Sequence, residues 1–160
     1  MEDITKQQAM ILFEQGFRQQ MRGNLTEAID LYKRSLGMQE TAEAHTFLGW
    51  TYSMLNRYRD AIAACKKAIE VDPDYGNPYN DIGSYLIELE EIDEALEWLE
   101  KATLATRYDN PQFPYVNMAR AHEKQGRYLS ALDAYEKALD IAPLDRVALH
   151  SKYSLIARLN

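Results

Sequence analysis

Apolar residues recur along this chain at helical spacings of three and four, and the pattern is cleanest from Ala42 to Tyr75. That stretch, AEAHTFLGWTYSMLNRYRDAIAACKKAIEVDPDY, holds two amphipathic helical patterns back to back. Asn56 separates them and Asp72-Pro73 follows the second, which predicts a turn and then a stop. With Ala42 counted as the first place, Leu48, Gly49, Tyr52, Ala61, Ala68 and Pro73 fall at places seven, eight, eleven, twenty, twenty-seven and thirty-two.

The same spacing returns along the chain. In a first unit over 9–41, Gly16 and Ala28 hold small places, Tyr32 a bulky one, and Gly23 the turn. A third unit, 76–111, has Gly83, Ala95 and Ala102 at the small places, Ile82 and Leu86 on the packing face, and Glu90 where a turn Gly or Asn is expected. The fourth, 112–145, has Ala119, Ala131 and Ala138, with Gly126 at the turn and Pro143 at the end. Pro78 and Pro114 fall in first helical turns, where a missing N–H costs little. Residues 146–159 form a last helix. The first helix is predicted to begin within residues 1–8, capped by Asp3 or Thr5, and Thr26 is placed to cap the second. The junction from Thr106 to Pro111 is longer than the others and predicts a wider corner, not a domain boundary.

This arrangement resembles the tetratricopeptide repeat, a helix–turn–helix module of about 34 residues. The resemblance covers nearly the whole chain and implies one all-α domain over 1–160, a right-handed solenoid of four units with 146–159 as capping helix. Small residues at places eight, twenty and twenty-seven let helices approach closely, so Ala61, Ala68, Ala95, Ala131 and Ala138 are predicted to be fully buried. Leu48, Ile62, Ile69, Leu96, Leu99, Leu132 and Leu139 are predicted to be core.

The resemblance also implies a function. In such proteins the first helices of successive units line a concave groove where peptides commonly bind. Carried onto this chain, the groove-facing places include Phe13, Phe17, Gln20 and Met21 in unit one, and Thr46, Phe47, Trp50 and Met54 in unit two. Unit three supplies Asn80, Asp81, Ile87 and Glu88, and unit four Val116, Asn117 and Arg120. The partner-binding residues are then Phe13, Phe17, Met21, Phe47, Trp50 and Met54, which suit an apolar peptide or helix. Asn80 and Asn117 would pair with its backbone, and Arg120 would hold a carboxylate. The alternative is that Phe13, Phe17 and Phe47 pack on one another or under the N-terminal extension. Some relatives grip acidic chaperone tails with a carboxylate clamp of Lys, Asn and Arg. The corresponding places here hold Phe13, Phe17, Phe47, Asn77 and Asp81, so that clamp is absent.

Composition narrows the classes. The net charge of −7 lacks the basic surface that nucleic-acid backbones require, which argues against an RNA-binding helical repeat. The segment 76–107 carries eight acids against two bases and accounts for most of this charge. That run is either a solvated face or a patch for a basic partner. The polar N-terminus and the lack of a long apolar run predict a cytoplasmic chain without a membrane span; the Asn24-Leu25-Thr26 sequon is read as chance. Cys65 has no second cysteine to pair with and falls at a packing place. His45, His122 and His150 show no metal spacing, and no phosphate loop or catalytic set can be assembled, so no cofactor, metal or enzyme activity is expected. The functional expectation is a non-catalytic adaptor for a largely apolar protein or peptide, the alternative being a self-assembling, homo-oligomeric subunit.

Overall fold

The computed structural model describes residues 1–160 and contains nine helices. They are α1 (Glu2–Met21), α2 (Leu25–Met38), α3 (Ala42–Met54), α4 (Tyr58–Val71), α5 (Asn77–Glu88), α6 (Ile92–Thr103), α7 (Phe113–Lys124), α8 (Tyr128–Ile141) and α9 (Arg146–Leu159). The first eight pair as antiparallel hairpins, α1 with α2 through α7 with α8, and each hairpin stacks on the next. α1 touches α3, α3 touches α5 and α5 touches α7, so the first helices form one wall of an all-α solenoid.

The four hairpin turns share one geometry. Gly23, Asn56, Glu90 and Gly126 all adopt positive φ, at 83°, 59°, 62° and 72°. The next amide in each case reaches back five residues: Asn24 to Gln19, Arg57 to Tyr52, Glu91 to Leu86 and Arg127 to His122, at 2.9–3.0 Å. This is the Schellman closure, which favours glycine because a Cβ is strained at positive φ. Glu90 adopts the same conformation without that freedom. The second helix of each hairpin starts directly from its turn, so Thr26 lies inside α2 and caps nothing. α1 likewise starts at Glu2 with Met1 as its N-cap and no side-chain cap, so neither Asp3 nor Thr5 caps it, and Thr5 Oγ1 instead donates to the Met1 carbonyl. Side-chain caps occur where the connections are looser, at Thr41 before α3 and Asp145 before α9.

The small residues do what their spacing predicts. Ala28, Ala61, Ala95 and Ala131 are fully buried at the hairpin crossings, as are Ala68 and Ala138. Ser35 takes the same place in the first hairpin and donates to the Ala9 carbonyl at 2.6 Å. A Cβ on Gly49 would meet the Ala61 carbonyl oxygen and the Cys65 sulfur at 3.0 Å, and one on Gly83 would meet Leu99 at 2.5 Å. Leu48, Ile62 and Leu99 are core, but Ile69, Leu96, Leu132 and Leu139 are only half-buried. They pack on the core from the edge of the apolar stripe, with solvent on their other side. Ala148 and Leu155 of α9 close the carboxyl end over α8.

The long connection from 104 to 112 folds back along the α4–α5 loop. The Arg107 amide donates to Asp74 and the Gly76 amide donates to Arg107, both at 2.9 Å. The Arg107 guanidinium binds Asp72 and Glu43 and lies over the Tyr75 ring at 4.1 Å. Tyr108 lies so close to Gly76 that a Cβ there would sit 2.6 Å from its ring. The extra length thus makes a strap between neighbouring units.

Candidate partner-binding groove

The groove wall at the amino end is built from α1 and α3. Phe13 and Phe17 lie one turn apart on α1; Phe47, Trp50 and Met54 follow one another down the same face of α3. Phe47 is the hub. Its ring stands edge-on to Phe13 at 5.2 Å and to Phe17 and Trp50 at 5.7 Å. Beneath, Phe13 packs on Tyr32 of α2 at 5.6 Å. Phe13 and Phe47 are therefore half-buried by mutual packing, while Phe17 and Trp50 remain 39% and 40% exposed. Met21 and Met54 are exposed at the lower rim. A depression of about 330 Å³ opens between Phe13, Glu14, Phe17, Arg18 and Phe47. A second, of about 270 Å³, continues from Phe13 past Met10 to Lys6 and Glu43.

α1 runs straight as an extension of the first hairpin, so the N-terminal residues leave the aromatic rings open. Mutual packing and exposure coexist in this patch: the rings brace one another edge to edge and still present their outer faces.

Several places assigned to the groove point elsewhere. Gln20 is buried, accepting from the Tyr32 hydroxyl at 2.7 Å and donating to the Met54 sulfur at 3.5 Å. Burial pushes the Tyr32 hydroxyl far above its ordinary pKa, so it stays a donor. Glu123 holds the corresponding place in unit four and accepts from Tyr135 at 2.6 Å, so this tie recurs with the repeat. Thr46, Ile87 and Val116 are also buried, Thr46 donating to the Ala42 carbonyl and Val116 packing into the core between α7, α8 and α9.

The carboxyl half of the groove is polar and already paired. Asn117 donates to Asn80 at 2.9 Å, Arg120 donates to Asn117 at 2.8 Å, and Arg120 also binds Glu88 at 2.8 Å. Asn80 is buried, so its amide is not presented to the groove as expected. Arg120 keeps part of its surface open but has a carboxylate of its own chain. Asp81 is half-buried beside this chain of contacts, and desolvation raises its carboxyl to about 7.

The acidic run of 76–107 is divided. Glu88 binds Arg120, Glu91 binds Arg59, and Asp93 accepts from Gln125. Glu94, Glu97 and Glu100 lie exposed on α6, away from the groove wall. Cys65 is fully buried against Gly49, and burial pushes its thiol well up. His45 is buried with Nε2 3.3 Å from Glu40. No three His, Cys, Asp or Glu side chains converge as metal ligands, and no helix is long and apolar enough to cross a membrane.

Sequence reasoning missed the Gln20–Tyr32 tie and the Arg107 strap. The first had a signal in hindsight: a Tyr twelve residues after a polar residue, at matching places in units one and four.

Protein-family models of the tetratricopeptide repeat match residues 42–75 and 74–143. No curated protein sequence matches significantly. Among solved structures, MamA superposes with a TM-score of 0.72 at 26% identity, over 88% of this chain and 81% of that one. PilF of Pseudomonas aeruginosa gives 0.86 at 20% identity, over 98% and 70%. YrrB, described as a repeat protein with an unusual peptide-binding site, gives 0.72 at 22% identity, over 91% and 74%.

Proposed function

The chain belongs to the tetratricopeptide-repeat family, whose members generally mediate protein–protein interaction, and from that premise we propose that it is a non-catalytic adaptor. Its groove takes an apolar segment of a partner protein on Phe13, Phe17, Met21, Phe47, Trp50 and Met54. One observation carries this reading: Phe17 and Trp50 are large aromatic side chains, each about two-fifths exposed, held in fixed orientation by the half-buried Phe47. Rigid aromatic surface of this kind gives large contact area at small ordering cost. Asn117 and Arg120 lie further along the same wall, on α7 beyond α5, where they form its polar section. That YrrB is described as having a peptide-binding site supports the class of ligand.

The test is affinity capture from the source cell with wild type, Phe17→Ala and Trp50→Ala, followed by binding of the purified captured protein. Both variants are expected to lose binding while keeping the wild-type helical circular dichroism. Undiminished affinity in both would move the site to the outer face.

A second reading, self-assembly, is favoured by the far end of the molecule. Val147 and Tyr153 of α9 are 62% and 61% exposed, an apolar surface that a second copy could cover. Light scattering over a concentration series distinguishes the two readings: a monomer at every concentration leaves the adaptor alone.

A further inference from the structure

One carboxylate on the groove wall has no cation. Asp81 occupies the place on α5 that Phe47 holds one unit earlier on α3, and it is half-buried. The arginines of the adjoining segments are committed, Arg107 to Asp72 and Glu43, and Arg120 to Glu88. The Asn80 side chain is its hydrogen-bonding neighbour. Its other titratable neighbours are neutral at pH 7: Cys65 from α4, Tyr75 from the α4–α5 loop, Tyr85 one turn along α5, and Tyr108 from the strap. Glu43, Arg107 and Asp109 flank Tyr75, and Arg107 is shared between Glu43 and Asp72, which leaves no cation over for Asp81.

The fold gains nothing from a charge at this place. An asparagine would hydrogen-bond to Asn80 without the desolvation cost that raises the Asp81 carboxyl to about 7. A carboxylate in such a site interacts strongly with a cation brought to it, because solvent screening is reduced there. We infer that the groove's occupant is a polypeptide segment with apolar side chains for Phe17 and Trp50 and, beside them, a lysine or arginine that pairs with Asp81. This rests on the reading of the groove as a partner site. The chain's net charge of −7 favours approach of such a segment. Packed helices lie roughly 8–10 Å apart, so an extended segment rising about 3.3 Å per residue places its basic residue about three positions from the apolar anchor.

The experiment is selection of a randomised dodecapeptide phage library on the full chain as wild type, Asp81→Asn and Trp50→Ala. Wild type is expected to enrich peptides with an apolar anchor and a Lys or Arg about three positions away. Asp81→Asn is expected to keep the anchor and lose the basic preference, and Trp50→Ala to lose the anchor. A synthetic peptide of the selected sequence is expected to bind wild type about tenfold more tightly than Asp81→Asn near pH 8. That margin closes as pH falls through about 7 and Asp81 takes up a proton. Replacing the peptide's lysine with norleucine is expected to give the same loss against wild type, which removes dependence on how the variant folds. Apolar peptides without a basic preference would overturn this inference and leave the groove reading standing. No enrichment at all would overturn both.

Discussion

Replacing Gly83 with alanine tests the packing of the hairpins atom by atom. The new methyl would lie 2.5 Å from Cγ and Cδ2 of Leu99 and 3.3 Å from the Ala95 carbonyl oxygen. Carbon atoms pack comfortably at about 3.5–4.0 Å, so the overlap exceeds what small adjustments absorb. Leu99 is fully buried and has no solvent-facing rotamer to move into. Overpacking of this kind costs about 1–3 kcal/mol. The 2.5 Å overlap puts the cost in the upper part of that range, about 2–3 kcal/mol, and the gain in helix propensity from Gly to Ala returns about 1 kcal/mol, which leaves a net loss of roughly 1–2 kcal/mol. Leu99→Ala alone is expected to cost about 2–5 kcal/mol, but it clears the space in question. In that background Gly83→Ala is expected to stop destabilising and to gain up to about 1 kcal/mol. Urea unfolding of the four proteins, followed by circular dichroism, reads this directly as midpoint shifts at constant slope. A wild-type midpoint for Gly83→Ala, or an equal loss in both backgrounds, would refute the close-approach reasoning.

Three further outcomes are expected. Glu90→Gly should stabilise the fold by about 1 kcal/mol, since only this hairpin turn lacks a Gly or Asn at positive φ; thermal melts check it. Asp81→Asn should alter the pH dependence of stability. The Asp81 carboxyl is raised from 3.8 to about 7 on folding, so the wild type loses stability relative to the variant as pH rises between those values. The difference should be small near pH 4 and grow, by about 1.4 kcal/mol per unit at most, up to about pH 7; paired urea titrations at several pH values measure it. Cys65, buried and with its thiol raised, should resist maleimide labelling in buffer and react fully in denaturant; mass spectrometry reports the adduct.

The fold was legible because its determinants are small residues at fixed intervals. Gly49, Ala61 and Ala68 announce where backbones touch, and Gly23, Asn56 and Gly126 announce the turns. Glu90 was legible only through register, its chemistry saying nothing of a left-handed backbone. The aromatic patch could be read because register fixes which face of a helix each residue takes. Register does not fix how far a side chain leans toward its neighbour. Gln20 and Asn80 take groove-side places yet are drawn inward by Tyr32 and Asn117, partners twelve and thirty-seven residues away. Arg120 looked free in sequence because Glu88, which neutralises it, lies thirty-two residues back on another helix. Such ties depend on the distance between helices, which a linear pattern does not carry.

The accessibility of Trp50 tests the groove most directly. In a Trp98→Phe background its emission can be followed alone, with acrylamide as quencher, before and after addition of the captured partner. The open patch requires ready quenching in the isolated protein, then shielding and a blue shift in the complex. A Trp50 already shielded in the free monomer, or one equally quenched with the partner bound, would contradict a ligand site there.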